Sequence, residues 1–210
     1  MENISIANKS GELDERNADA NPIRQFQRWF DEAVGRSLPM AEAMTLCTAT
    51  ADGKPSARMV LLKSVDEFGF VFYTNYRSPK ARELDANPFA ALVFYWEPVE
   101  RQVRVEGKVA RISADESDEY FQTRPRESQI GALASPQSDV IESREVLEQR
   151  FRELEEEYRD HAIARPDHWG GYRLVPDRIE FWKGRPGRLH DRLLYERQAD
   201  GRWRRSRLAP

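Results

Sequence analysis

Hydrophobic residues recur along this chain with two periods, one near 3.6 and one near 2, and the two fall in different stretches. A helical period comes first. In NPIRQFQRWFDEAVGRS, Asn21 stands at a cap position and Pro22 at the first helical position, with Ile23, Phe26, Phe30, Ala33 and Val34 as the apolar stripe. Short apolar or alternating runs follow: AMTLCTAT, SARMVLLKS, GFVFYT, FAALVFYW and RQVRVEGKVARIS. The turns between the first three, ADGKP and VDEFG, carry Asp and Gly, which points to antiparallel hairpins rather than strand–helix–strand units. SPKARELDAN interrupts them as a short helix, and DESDEYFQTR and SQIGALA read as two more.

The clearest helical pattern is SREVLEQRFRELEEEYRDHA, with Val146, Leu147, Phe151, Leu154 and Tyr158 on one face and a solvated, charged face opposite. The last third returns to strands: GYRLV, RIEFWKG, LHDRLLYERQ and RWRRSRL, the last two joined at Asp200-Gly201. Many antiparallel strands with a few helices define an α+β chain, mainly antiparallel β, built on a small barrel. Residues 1–20 are polar and aperiodic and read as a flexible lead, and residues 21–210 as a single domain.

Composition removes several classes of function. The 210 residues include 33 basic and 36 acidic side chains, a net charge of −3, which leaves no bulk positive charge for nucleic acid. The single Cys47 allows neither an intrachain disulfide nor a multi-cysteine metal site. No apolar run nears the roughly 18 residues that span a bilayer, and the polar N-terminus has no signal-peptide core. A cytoplasmic protein without membrane or nucleic-acid partners is expected. His161, His168 and His190 lack metal-ligand spacing, and the chain has no Walker loop, no GxGxxG and no nucleophile elbow.

Candidate chemistry sits in polar groups inside the strand runs. Alternation in SARMVLLKS sends Arg58, Val60 and Leu62 to one face and Met59, Leu61 and Lys63 to the other. Ser78-Pro79 opens a helix whose free backbone N–H groups, with Lys80 in the first turn, make an anion site. Gln102, Arg104 and Glu106 share a face opposite Val103, Val105 and Gly107, as in any half-buried strand. Arg188, His190 and Arg192 fall two apart in a strand-like run, a comb of basic groups on one face that calls for an anion between them. Tyr73, Tyr95, Trp96 and Trp182 would wall a flat ring. Together these groups fit a small ligand bearing one or two phosphates.

The segments RMVLLK, FYTN, NPFAALVFYW, RQVRVEGKV, YFQTRPRESQIGALAS, PQS, WGGYRL, EFWKG, RLHDR and the terminal RLAP occur in this order. From about Pro22 to Pro210 the chain closely resembles the pyridoxine/pyridoxamine 5′-phosphate oxidases, FMN enzymes that make pyridoxal 5′-phosphate with O2 as acceptor and H2O2 as co-product. The resemblance implies an FMN-binding split β-barrel with peripheral helices, and a homodimer holding FMN at the subunit interface. It implies that Arg58, Met59, Val60, Leu61, Leu62 and Lys63 line the FMN site, Arg58 on the phosphate, with Tyr73, Thr74, Lys80 and Gln102 completing one subunit's share. Gln137, Ser138, Trp182 and Arg192 would also touch FMN, in part from the partner. Lys63, Tyr120, Arg124 and Ser128 match the positions that hold the substrate phosphate. Arg188 and His190 match those over the pyridine ring, as the candidate catalytic pair. Two rival readings are a related split-barrel flavin oxidase, such as those of phenazine biosynthesis, and a non-catalytic FMN or pyridoxal-phosphate binding protein. The chain departs from the family at Pro79, where an arginine is usual, which implies weaker FMN retention. It also has Ser-Ile-Ala-Asn at residues 5–8, where some members have an Arg-Arg-x-Tyr element over the substrate.

Overall fold

An antiparallel sheet of nine strands organises residues 12–210, the part of the chain that this computed structural model describes. The strands are β1 (Ala43–Ala49), β2 (Pro55–Leu61), β3 (Ser64–Asp66), β4 (Gly69–Asn75), β5 (Phe89–Trp96), β6 (Arg101–Arg111), β7 (Trp169–Lys183), β8 (Asp191–Arg197) and β9 (Trp203–Arg207). Their order is β2-β1-β5-β6-β7-β4-β3, with β8 also paired to β7 and β9 to β8. The helices are α1 (Pro22–Gly35), α2 (Pro79–Ala86), α3 (Ala114–Thr123), α4 (Arg126–Ala134) and α5 (Arg144–Glu157). This is the expected α+β, mainly antiparallel split barrel with peripheral helices.

The split is made by β7. GYRLV and RIEFWKG, expected as two strands, form one strand of 15 residues. β6 runs along one edge of it, absorbing Pro176 through a bulge between Glu106 and Gly107. A Cβ at Gly107 would lie 2.1 Å from the Val175 carbonyl oxygen, so the bulge needs glycine there. On its other edge the first half of β7 pairs with β4 and the second half with β8. One strand therefore belongs to two divergent parts of the sheet.

Alternation fills the interior. Val103, Val105, Phe181, Ile179, Leu92, Phe94, Leu193 and Tyr195 are buried on one face, with Phe26, Trp29 and Ala33 of α1 packed onto the same core. Asn21 caps α1, its side chain accepting from the Ile23 N–H at 2.9 Å. Val34, expected in the apolar stripe, is 53% exposed; Trp29 takes its place because the buried line runs through residues 22, 26, 29 and 33. A second cluster, Phe121, Ile130, Ala134, Leu154, Ile163 and Trp169, lies under α3, α4 and α5.

Residues 12–20 are tied down, against the expectation of a flexible lead. Leu13 joins the core at 3% exposure. Arg207 grips both carboxylate oxygens of Glu15, Arg205 donates to the Ala18 carbonyl, and the Tyr195 hydroxyl donates to the Asp19 carbonyl. The polar composition of this stretch reflects its partners, a row of strand arginines. Residues 1–11, including Ser-Ile-Ala-Asn, lie outside the described residues. No described helix is long and apolar enough to cross a membrane.

Candidate active site

A cavity of about 520 Å³ opens where β2, β4 and the start of α2 meet α3 and the 135–138 segment. Arg58, Met59, Val60, Leu61, Lys63, Tyr73, Thr74, Pro79, Lys80, Tyr120, Arg124, Gln137, Ser138 and Trp169 line it. Thus most of the residues singled out from sequence do converge. Leu62 does not: it is buried in the core at 5% exposure. Arg58 and Lys63, expected on opposite faces, line the same cavity. β2 ends at Leu61, and the Lys63 N–H bonds instead to the Val71 carbonyl, so the strand's alternation does not extend to Lys63.

One basic group gathers around the start of α2. The Lys80 ammonium donates to Gln137 Oε1 (2.8 Å), Thr74 Oγ1 (3.2 Å) and Ser78 Oγ (3.3 Å), all neutral acceptors. Burial, with Arg58 nearby, lowers its pKa to about 8. Ser78 caps α2 through its backbone position rather than its side chain, which is fully buried and turned to Lys80. Arg58 Nη1 donates to Thr48 Oγ1 (2.5 Å) and the Leu46 carbonyl (3.2 Å), and Nη2 to Ser56 Oγ (2.6 Å) and Glu83 (3.3 Å).

A second basic group stands on stacked aromatics. Tyr73 and Tyr120 stack with centroids 4.0 Å apart, Tyr73 and Trp169 at 5.2 Å, and the Arg124 guanidinium lies 4.6 Å above the Trp169 ring. Burial, with Tyr120 beside it, pushes the Tyr73 phenol up to about 12. Gly171 permits this stack, because a Cβ there would come within 2.9 Å of the Tyr73 ring and 2.4 Å of Ile112. Arg124 Nη1 is buried without a hydrogen-bond partner, and burial lowers the guanidinium's pKa. A buried donor nitrogen left without an acceptor is costly unless an anion meets it. Ser128, on the first turn of α4, is half-buried and outside the lining.

The remaining candidates form a separate group. Tyr95, Gln102, Trp182 and Arg192 are directly cross-paired on β5, β6, β7 and β8, so their side chains make one row on the outer face of the sheet. Gln102 therefore sits with Trp182 and Arg192, away from Tyr73, Thr74 and Lys80. The comb of Arg188, His190 and Arg192 is not a strand comb, since β8 starts only at Asp191. Arg188 ends a 3-10 turn, Pro186–Arg188, with φ +61°, next to Gly187 at +66°. His190 packs on Trp182 at 4.7 Å, and its Nδ1 accepts from the Arg185 N–H. Arg192 is anchored by Glu180 (2.7 Å) and by the carbonyl of Ala209 in the terminal RLAP (2.8 Å). Trp96, expected as a ring wall, is a core residue that donates to the Ala41 carbonyl.

Sequence reasoning missed Trp169 and Glu83. Trp169 was visible within WGGYRL, but only the fold shows it stacking under Arg124. Glu83 falls within SPKARELDAN, where no motif singles it out.

The branched sheet and a cavity with two basic groups define a split-barrel protein with a site for phosphate-bearing ligands. The sequence model of the family described as pyridoxamine 5′-phosphate oxidase matches residues 30–158, and that of the pyridoxine 5′-phosphate oxidase C-terminal dimerisation region matches residues 169–210. The chain belongs to the pyridoxamine 5′-phosphate oxidase family; it is a flavin-dependent oxidoreductase and its cofactor is FMN. The pyridoxine/pyridoxamine 5′-phosphate oxidase of Rubrobacter xylanophilus is 61% identical over 198 residues, covering 94% of this chain and 91% of that relative. Among solved structures, PhzG from Burkholderia lata 383 in complex with tetrahydrophenazine-1-carboxylic acid is similar at TM-score 0.88 and 33% identity, covering 93% of this chain and 95% of that one. A pyridoxamine 5′-phosphate oxidase-related FMN-binding protein of Nostoc punctiforme shares the fold at TM-score 0.73 and 20% identity, over 90% of this chain and 98% of that one. The residues present fit a phosphate-bearing cofactor: the ammonium of Lys80 lines the cavity and donates only to neutral acceptors.

Proposed function

We propose that this chain oxidises pyridoxamine 5′-phosphate and pyridoxine 5′-phosphate to pyridoxal 5′-phosphate, with O2 as electron acceptor and H2O2 released. Relatives of that name at 55–61% identity support the substrate class. The observation that carries it is Arg124, a half-buried guanidinium whose buried Nη1 has no hydrogen-bond partner, set on an aromatic stack in a cavity that already holds Arg58 and Lys80 as a separate basic group. Two basic groups serve two phosphates, one of the cofactor and one of the substrate.

In this reading Arg58, Lys80, Thr74 and the N-terminus of α2 hold the FMN phosphate, with Gln137 and Ser138 beside them. Met59 to Leu61 and Tyr73, which line the same cavity, would border the rest of the cofactor. Lys63, Tyr120 and Arg124, with Ser128 nearby, hold the substrate phosphate. FMN supplies the two-electron acceptor and passes the electrons to O2. The protein's own contribution is placement of the substrate's C4′ carbon and exclusion of water around it. The alcohol substrate gives the aldehyde directly, whereas the amine gives an imine that water hydrolyses to aldehyde and ammonia.

Gln102, Trp182, Arg188, His190 and Arg192 lie outside the cavity's lining, so the site is completed by a second copy of the chain, which delivers them from its outer sheet face. Support comes from the match to a dimerisation region over residues 169–210, which holds four of these five. Exposed Met59 and Tyr95 give that face apolar surface to cover. Arg188 and His190 orient and polarise the pyridine ring. A cytoplasmic setting belongs to the same reading, since one cysteine asks nothing of an oxidising compartment.

The test is peroxide release from pyridoxamine 5′-phosphate, compared with pyridoxamine and with tetrahydrophenazine-1-carboxylic acid. A loss of about a hundredfold or more in kcat/KM without the phosphate is expected. Equal rates would sink the reading, and a preference for the phenazine acid would move the chain toward the neighbour's ligand. Flavin and pyridoxal phosphate binding without any peroxide would leave a carrier.

A further inference from the structure

Glu83 lies on α2 one turn beyond Lys80, with its carboxylate turned away from solvent at 14% side-chain exposure. Its Oε2 accepts from the Ser56 hydroxyl at 2.6 Å, from the Thr48 hydroxyl in a shorter contact, and from Arg58 Nη2 at 3.3 Å. The same two hydroxyl oxygens accept from Arg58, Thr48 Oγ1 from Nη1 at 2.5 Å and Ser56 Oγ from Nη2 at 2.6 Å. A hydroxyl has one hydrogen. When Thr48 and Ser56 spend theirs on Glu83, their lone pairs must face Arg58. The carboxylate thereby sets the polarity of a closed network joining β1, β2 and α2. Burial alone would raise the pKa of Glu83, but the two hydroxyls and Arg58 outweigh it and hold it below the usual carboxylate range.

We propose that Glu83 is the positioning residue of the cofactor-phosphate site, fixing Arg58 through Thr48 and Ser56 before the phosphate arrives. The proposal rests on the FMN reading of the cavity. It gives a negative charge a constructive part in an anion site: Glu83 offsets some of the repulsion between Arg58 and Lys80, and preorganises the guanidinium that the phosphate will meet. Glu83 also supports the charge of Lys80, on which Arg58 acts in the opposite sense. Tyr73, the titratable neighbour from β4, is uncharged through this range because its phenol is held near 12.

Glu83→Gln is the diagnostic change. The amide oxygen can stand in for Oε2 toward both hydroxyls and Arg58, but it carries no negative charge, so the guanidinium is held less firmly and its repulsion with Lys80 is no longer offset. Affinities for FMN and for riboflavin, which lacks the phosphate, are read by quenching of flavin fluorescence on apoprotein, for wild type and variant. FMN binding is expected to weaken about tenfold, with riboflavin binding changed less than about twofold. The pH at which FMN binding declines should also fall, because Lys80 loses a supporting charge. The pair Thr48→Val and Ser56→Ala breaks the same network from the strands and should reproduce the selective loss if the helix variant does not fold. Unchanged or tighter FMN binding by Glu83→Gln would overturn the proposal, as would equal weakening of both flavins. Failure of the wild type to prefer FMN over riboflavin would instead bring down the cofactor reading itself.

Discussion

Lys80 carries the sharpest expectation at the scale of single residues. Its pKa, lowered to about 8 by burial and by Arg58, means the free site loses its charge as pH rises through that value. A bound phosphate dianion favours the ammonium, so FMN binding takes up a proton near pH 8 and above and weakens as pH rises further. Fluorescence titrations at pH 7 and 9.5 should show this loss for FMN and not for riboflavin, and Lys80→Met should remove the pH dependence while lowering affinity at pH 7. A second expectation concerns substrate. Arg124→Ala should raise KM for pyridoxamine 5′-phosphate by about a hundredfold with a smaller change in kcat, because the guanidinium meets a phosphate remote from the reacting carbon. Arg188→Ala should show the same split in steady-state kinetics if it orients the ring rather than moving a proton. The residue types of this site were legible in the sequence because basic groups inside strand runs are conspicuous. Their distribution was not: Arg58 and Lys63 share a cavity because the chain leaves β2 between them, and no alternation rule announces where a strand stops.

At the scale of elements, α2 and β7 decide most. Pro79 occupies the first position of α2, where a missing N–H costs nothing, so the helix start is intact but offers no side-chain donor at that point. Pro79→Arg should tighten FMN binding about three- to tenfold, measured as the rate of flavin loss on dilution. β7 was half legible. Each half reads as a strand, yet one ladder with β6 runs through both, because a register shift opposite Glu106–Gly107 leaves Asp177 of β7 unpaired and lets the strand pass Pro176. The glycines of WGGYRL are the other side of this. Gly171→Ala should displace Tyr73 or Ile112, lowering the melting temperature and FMN affinity together, by about 1–3 kcal/mol in stability. The strand-like look of RLHDR misled in one respect, for the turn at Pro186–Arg188, with two consecutive positive φ values, sets Arg188 and His190 off the ladder.

At the scale of the whole molecule, the two groups of candidate residues lie on different parts of one chain, and the proposed function unites them in a site shared by two copies. This division could not be read from sequence, where Gln102 and Tyr73 look equally near the flavin; it needs the cross-strand row from Tyr95 to Arg192. Arg124→Ala and Arg188→Ala should therefore complement each other. Unfolded together and refolded, about half the dimers are mixed, each has one site with both residues intact, and the mixture should regain about a quarter of wild-type activity. Activity no higher than that of the separate variants would place both residues in one chain's site. The central claim, oxidation of a phosphorylated B6 vitamer by the flavin of this site, is tested most directly by an anaerobic spectrum. FMN-loaded protein is mixed with pyridoxamine 5′-phosphate without oxygen, and the visible flavin band is followed. The account predicts bleaching that reverses when air is admitted, with peroxide formed; a flavin that binds and stays yellow would contradict it.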